Sequence, residues 1–376
     1  MDDNLFLKNY YIFIFNKFKI ILLFIIFINI FFSIFYSYKI KEENKEEFNN
    51  NDFKNNQYKI LKRLSLSKEF NKIYSTLYFE AKKGNTEKPK ISNSYKLKNY
   101  KIRKKKGLCI CTIGKNENLY AREFVDYYHL LGFDKIIIFD NNDINGENFE
   151  DVLKDYIDTK FVEIFDIRGI LSVQIPVLNY CYNKFQKLFD WIAFIDFDEY
   201  LYINDSHNIN KYLYNKRFQK CQSILFNWVI YGDNNLDKYE NEKLNIRFNH
   251  SNIILPIVKS MVRGGFNDLL IPSSHIVGIN INYFCDSNGI RVFPNSFYQI
   301  EYNNESKAYI KHFYTKTVEE FCKKIKKTDV QFDRNYWYYN TRIINKINLF
   351  FLVNKKNKKK IKFLEKCTGL NLKKYK

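Results

Sequence analysis

The stretch Trp191-Ile-Ala-Phe-Ile-Asp196-Phe-Asp198-Glu199-Tyr-Leu201 runs from an unbroken apolar segment straight into three carboxylates. A short continuous apolar run reads as a strand buried on both faces, and the carboxylates mark where the chain leaves the core. Side chains alternate along extended chain, so this reading puts Asp196 and Asp198 on one side and Glu199 on the other. Two carboxylates converging at a strand end make a hard-oxygen site for a divalent cation. Such a cation can bridge to a diphosphate and neutralise the charge that develops on a leaving phosphate. An Asp-x-Asp is common by itself, and its position after a buried strand is what makes this one informative.

Upstream, apolar strands alternate with helical stretches. Residues 108–113 read as a strand ending in Gly114, 122–131 as a helix closed by Gly132, 135–139 as a strand and 149–156 as a helix. Residues 161–165 then read as a strand and 173–188 as a helix, which makes 191–195 the fourth strand. Alternation of this kind implies an α/β fold with a mostly parallel, doubly wound sheet and right-handed crossovers, whose ligands bind beyond the carboxyl ends of the strands. The polar residues fall at those ends. Thr112-Ile-Gly114-Lys115-Asn116-Glu117 follows the first strand, Asp140-Asn141-Asn142-Asp143 the second, and Asp196-Phe-Asp198-Glu199 the fourth. Beyond residue 205 strand-like runs at 224–230, 253–262 and 279–283 alternate with loops, and 318–326 reads as a helix. A phosphatase of the haloacid dehalogenase kind also places an Asp after a buried strand, but it wants a Thr or Val after the motif near the start of the domain. Here Glu199 and Tyr200 follow, deep in the chain.

The formal charge of +20 suits anionic partners, among them lipid head groups, sugar nucleotides and nucleic acid. No arginine-rich helix, zinc signature or aromatic RNA-binding motif accompanies it, and the lysine runs at 101–106 and 355–362 flank the domain, so no nucleic-acid partner is expected. The seven cysteines lack paired zinc-ligand spacing and neither require nor exclude an oxidising compartment; Cys109 and Cys111 share one strand face, where they read as small buried apolar residues. Residues 20–38 hold no charged side chain, and as a helix they would span about 28 Å, close to the hydrocarbon thickness of a bilayer. This reads as an uncleaved signal anchor rather than a cleaved signal peptide, since no small-residue cleavage site follows. The polar segment 39–104 reads as a stem, with a helix around 57–83, or as a linker without fixed structure. The basic end is either a packed helix with a lysine face or a segment lying on an anionic membrane.

The ordered motifs resemble glycosyltransferase family 92 and related family-2-like glycosyltransferases. Asp196-Phe-Asp198-Glu199-Tyr-Leu matches the D-x-D-E-[FY]-[LI] signature, and Lys115-Asn116-Glu117, Glu123-Phe124, Tyr128-His129, Gly132-Phe133 and Phe139-Asp140-Asn141 follow the family order. Gln174 and Cys181 stand where the family places Gln and Cys, Trp228…Tyr231-Gly232 resembles W-x-x-F-G, and 311–324 resembles H-Y-x-x-K-S-x-E-E-F-x-x-K. Phe124 departs from the usual Trp, and Asp233 stands where a small residue is common.

The resemblance implies a GT-A (Rossmann-like) nucleotide-sugar-binding domain over 105–340, after a short segment 1–19, a transmembrane anchor 20–38 and a stem 39–104, with a basic tail 341–376. It implies transfer of a sugar from a nucleoside diphosphate sugar, UDP-linked first of all, to a glycan, lipid or protein acceptor. Thr112, Lys115, Glu117, Asp140 and Gln174 would line the nucleotide pocket with Asp196. Asp196, Asp198 and His312, or His275 in its place, would hold Mn²⁺ or Mg²⁺. Glu199 and Asp233 are candidate bases for the acceptor hydroxyl, with Asp233 equally readable as a turn residue. Lys259 and Arg263 could offset phosphate charge. The layout implies a single-pass membrane protein, of the Golgi or ER in a eukaryote or at the inner membrane's cytoplasmic face in a bacterium. A membrane-tethered basic binding protein and an inactive transferase-like protein are the alternatives.

Overall fold

Seven consecutive buried residues, Leu108–Gly114 (β1), form the strand around which the domain is built. Their side chains alternate: Leu108 and Ile110 enter one apolar cluster, Cys109, Cys111 and Ile113 the other, so both faces of the sheet are covered. The computed structural model describes residues 107–372, apart from 171–172, 205, 268, 272, 279–280, 295–298, 302–304 and 327–335.

After β1 come α1 (Asn118–Leu131), β2 (Lys135–Asp140), α2 (Glu150–Asp158), β3 (Val162–Asp166), α3 (Gln174–Phe185) and β4 (Trp191–Phe194). β1 pairs in parallel with both β2 and β4, and β2 with β3, as the alternation implied. Helix α1 closes at Gly132, whose φ of 100° is a left-handed cap that costs a Cβ-bearing residue strain. Its buried face of Phe124, Val125 and Tyr128 covers one side of the sheet, while Val177, Leu178, Cys181 and Tyr182 of α3 cover the other. Each such fully buried large apolar side chain stabilises the fold by about 1.5–3 kcal/mol.

The second half adds β5 (Glu199–Ile203), α4 (Ile209–Leu213), β6 (Ser223–Tyr231), α5 (Leu244–Arg247), β7 (Ser251–Arg263), β8 (Phe284–Cys285), β9 (Arg291–Val292) and β10 (Ala308–His312). The sheet order is β3-β2-β1-β4-β7-β6-β10-β5, with β8 on β6 and β9 on β8. β7 runs antiparallel between β4 and β6, and β10 lies parallel to β6. The carboxyl ends of β1, β2, β4, β6 and β10 therefore share one edge of the sheet. The order 3-2-1-4 reverses direction between β1 and β4, the crevice where open α/β sheets take their ligands. The run at 279–283 is not a strand over its described residues; the short β8 starts one residue later.

Helices α6 (Val318–Lys326), α7 (Tyr336–Val353) and α8 (Lys358–Thr368) carry a third apolar cluster, in which Val318, Phe321, Ile347, Phe350 and Leu364 meet. The basic run thus belongs to a packed helix, α8, whose lysines are mostly outward while Lys360 is buried. Three disulfides were not legible from spacing: Cys111–Cys181 ties β1 to α3, Cys221–Cys285 ties the residues before β6 to β8, and Cys322–Cys367 ties α6 to α8. Cys111 is therefore a cross-link rather than a small apolar residue, and Cys109 beside it is a buried thiol.

The expected transmembrane helix and single-pass location are corrected as far as the described residues go. Among the described residues no helix is long and apolar enough to cross a membrane. The segment 20–38 and the helix expected around 57–83 lie outside the described residues.

Candidate functional site

The acidic motif does not continue β4 in extended form. After Phe194 the chain turns, the Glu199 amide donating to the Asp196 carbonyl at 3.0 Å, and β5 starts at Glu199 antiparallel to β10. The expectation that Asp196 and Asp198 project together from a strand is corrected by that turn. Phe197 fixes its inner side, stacking on Phe149 with centroids 5.1 Å apart, and both rings press on Gly114. A Cβ at Gly114 would meet Phe149 at 2.5 Å and Phe197 at 2.6 Å, so only glycine lets β1 pass this close to the motif. Tyr128 holds the start of β5 from α1, donating to the Glu199 carbonyl at 2.9 Å and accepting from the Leu201 amide at 3.0 Å.

Each carboxylate of the motif meets a cation. Lys259 of β7 donates to Asp196 Oδ2 at 2.6 Å and lies 3.4 Å from Glu199 Oε2. Glu199, fully buried, also accepts from the Asp196 amide at 3.0 Å, while its Oε1 has no hydrogen-bond partner. Burial pushes the Glu199 carboxyl well up despite Lys259. Burial would lower the Lys259 ammonium, but the carboxylates of Asp196 and Glu199 outweigh it and raise the group. Lys324 of α6 donates to Asp198 Oδ2 at 2.6 Å and to the Tyr314 carbonyl at 3.1 Å. Burial opposes ionisation of Asp198, yet the Lys324 ammonium and His312 hold its carboxyl well below the usual carboxylate range.

His312 ends β10 opposite Glu199 and beside Ile230, with Nε2 3.5 Å from Asp198 Oδ1 and its ring 4.2 Å from that of Trp228. Burial lowers its pKa. His275, the other expected ligand, pairs Nδ1 with the Val258 carbonyl at 3.0 Å, and burial and then Lys259 hold it down to about 4. Among the described residues no group of three or more His, Cys, Asp or Glu side chains is placed to hold a metal ion. Of the residues expected to bind Mn²⁺ or Mg²⁺, Asp196 is paired with Lys259 and Asp198 with Lys324, with His312 beside Asp198, and the set does not fit that group as it stands.

Thr112, Lys115, Glu117 and Asp140, four of the residues expected to line a nucleotide pocket, stand at or near the carboxyl ends of β1 and β2. Thr112 is buried in β1 with Oγ1 unpartnered. Lys115 pairs with Asp143 at 2.7 Å, and Asn142 Oδ1 accepts from the Asn116 amide at 2.6 Å, Asn116 standing at φ 53°. Glu117 is the cap residue of α1, whose Tyr120 and Ala121 amides donate to its carbonyl. Asp140 closes β2, its Oδ1 accepting from the Asn142 amide at 2.9 Å, and burial pushes its carboxyl up to about 6. Gln174 opens α3, after the third strand.

Asp233 lies elsewhere in the network. It is buried, its Oδ2 2.5 Å from the buried Lys360 ammonium of α8, its Oδ1 accepting from the Asn235 amide, and its own amide donating to Asn354. Both Asn234 and Asn235 have positive φ, so this is the turn that the sequence also allowed. Its carboxylate is committed to an ion pair with Lys360. Arg263 likewise donates to the carbonyls of Cys221 and Phe218 and stacks on Trp191, away from the motif. Lys324 and Lys316 were missed as site residues. Both stand in the quoted 311–324 motif, and only the fold brings them beside Asp198 and Tyr120.

The family model described as glycosyltransferase family 92 matches residues 104–347. A family 92 protein of Ricinus communis is 28% identical over 102 residues, 27% of this chain and 18% of the relative. One of Oryza sativa subsp. japonica is 25% identical over 136 residues, 35% of this chain and 23% of the relative. One of Arabidopsis thaliana is 27% identical over 115 residues, 30% and 19% of the two chains. The matched stretches thus span about a fifth of those relatives' own length. Among solved structures, S. aureus TarS 1–349 in complex with UDP-GlcNAc aligns at TM-score 0.34 and 12% identity, covering 69% of this chain and 71% of that one. The mannosyltransferase PcManGT from Pyrobaculum calidifontis aligns at TM-score 0.25 and 11% identity, covering 34% and 38%.

Proposed function

The chain belongs to glycosyltransferase family 92, and from that premise we propose that it transfers a sugar from a nucleoside diphosphate sugar to a hydroxyl of a glycan, lipid or protein acceptor. One observation carries the reading. Thr112, Lys115 and Asp140 at the ends of β1 and β2, the acidic motif after β4, and His312 at the end of β10 sit on one edge of one sheet, around its switch point.

In this reading Thr112, Lys115, Glu117, Asp140 and Gln174 take the nucleotide, with the Asp140 carboxylate accepting from a ribose hydroxyl. Asp196 is the open member of the motif, its side chain 38% exposed against 11% for Asp198 and none for Glu199. The acceptor hydroxyl attacks the anomeric carbon and gives up its proton to a general base, the bond from that carbon to the phosphate oxygen breaks, and the nucleoside diphosphate leaves with the electron pair. Positive groups on the protein stabilise the charge on that leaving group.

The test is nucleotide release from UDP-, GDP- and CMP-sugars by the full chain, beside an Asp196→Ala/Asp198→Ala variant. Release from one donor class, lost in the variant, is expected. A folded chain that neither hydrolyses nor binds any of the three would overturn the transferase reading in favour of the binding protein.

A further inference from the structure

The acidic motif is neutralised from within the chain. Lys259 stands two residues before Met261, the β7 partner of Ala193, so its side chain emerges just past the end of β4. That side chain is 1% exposed and lies between Asp196 and Glu199, at 2.6 and 3.4 Å. Lys324 comes from the other direction, from α6, 2.6 Å from Asp198, with its ammonium 3.9 Å from the centre of the Tyr314 ring. A cation held jointly by Asp196 and Asp198 would have to expel both ammonium groups. Expelling Lys259 would leave an unpaired charge in the core.

An ammonium can do for a diphosphate much of what a metal does, supplying positive charge and directed donors. Lys324 is suited to it: its side chain is 25% exposed, and of its three N–H donors one is aimed at Asp198 and one at the Tyr314 carbonyl. Lys316, at φ 50° in the turn between β10 and α6, adds a third ammonium, 3.3 Å from the centre of the Tyr120 ring. We propose that this site meets the diphosphate of its donor with lysines, Lys324 foremost and Lys259 behind Asp196, in place of a divalent cation. The proposal rests on the donor-binding reading above and is separable from it.

The experiment is calorimetric titration of the full chain with UDP and with GDP, once in EDTA and once in Mn²⁺. One diphosphate is expected to bind with affinities equal within about twofold in the two buffers. Lys324→Gln should weaken it about 10- to 100-fold in both, the loss of a charge-assisted contact, while Lys324→Arg keeps most of the affinity. Circular dichroism checks that each variant folds, and if Lys324→Gln does not, the wild-type comparison between buffers decides. Binding that needs Mn²⁺, or that ignores Lys324→Gln, overturns the lysine proposal and leaves the transferase reading standing. Failure of both diphosphates to bind in either buffer overturns the two together.

Discussion

Lys259 Nζ lies 2.6 Å from Asp196 Oδ2, and this contact fastens the central antiparallel strand β7 to the turn that carries the acidic motif. With Glu199 within reach of the same ammonium, removing Lys259 strands one carboxylate in the core and frees another. Lys259→Met should therefore destabilise the domain by about 1–3 kcal/mol in urea unfolding, the usual cost of leaving a buried polar group without its partner. Adding Glu199→Gln should recover part of that loss. Equal stability of the single and double variants would mean that Glu199 and Lys259 are not coupled.

Glu320 and Arg247 form the second buried pair, with side chains 1% and 2% exposed and a bidentate contact at 2.8 and 3.0 Å. Tyr120 and Thr317 also donate to Glu320, so the turn before α6, which positions Lys316 and Lys324, hangs on this carboxylate. Burial by itself would raise the Glu320 carboxyl, but the hydrogen bonds from Arg247, Tyr120 and Thr317 outweigh it and bring it down to about 2. A depressed carboxyl contributes stability that is complete above its unfolded pKa and is lost as pH falls. The wild type should lose stability between about pH 4.5 and pH 2, and Glu320→Gln should flatten that limb while lowering stability at neutral pH. Chemical denaturation across pH checks it; an unchanged acid limb in the variant contradicts the assignment.

The alternating half of the fold was legible because it obeys two simple periods. Strands β1 to β4 are short apolar runs, and the helices between them show one buried face and end in glycine or a charged turn. The second half resisted reading because β7 and β10 are recruited out of sequence order, and no local pattern tells where a strand inserts. The residues expected to line the pocket stand in or just after strands that the apolar pattern marks, Thr112 within β1, Lys115 and Glu117 after it, and Asp140 at the end of β2. The partners of the acidic motif could not be placed that way. Lys324 lies 126 positions from Asp198; the quoted 311–324 motif marks it apart from Lys323, which pairs with Glu319 on the surface, but does not say which carboxylate it meets. Disulfides share that property, since the separations of 70, 64 and 45 residues carry no signature.

The Cys322–Cys367 bond holds α8 against α6, the helix that presents Lys324. It closes a loop of 45 residues, which by chain entropy is worth about 2–4 kcal/mol. Cys322→Ser/Cys367→Ser should lower the unfolding midpoint and raise hydrogen exchange in α6 and α8 before it does so in β1. Uniform exchange changes across the sheet would show that the C-terminal helices do not form a separately opening unit.

Asp140 offers a pH dependence of opposite sign. Its carboxyl, raised to about 6 by burial, binds a proton more readily in the folded chain than in the unfolded one. The associated stability is present below the unfolded value near 3.8 and is lost as pH rises through about 6. For ligand binding the ionised form is the better acceptor, so nucleotide affinity should fall as pH drops below about 6. Asp140→Asn should bind more weakly above pH 6 and lose that dependence. A pH profile of affinity identical in wild type and variant would remove Asp140 from the ribose contact.

Asp233 separates a structural role from a chemical one. Its carboxylate is paired with Lys360 at 2.5 Å, both side chains buried, and its amide donates to Asn354, so the residue joins the turn after β6 to the last two helices. A catalytic base in that position would, on removal, lower the rate of the folded enzyme by about 10²- to 10⁴-fold. A structural anchor gives another outcome: Asp233→Asn should cost about 3–5 kcal/mol of stability, because Lys360 is left charged and unpaired, while turnover per folded molecule changes little. The double variant Asp233→Asn/Lys360→Met removes the stranded charge and should regain stability without altering the rate. Measuring turnover well below the unfolding temperature, together with the folded fraction, distinguishes the cases; a rate loss that the double variant does not reverse would return Asp233 to the chemistry.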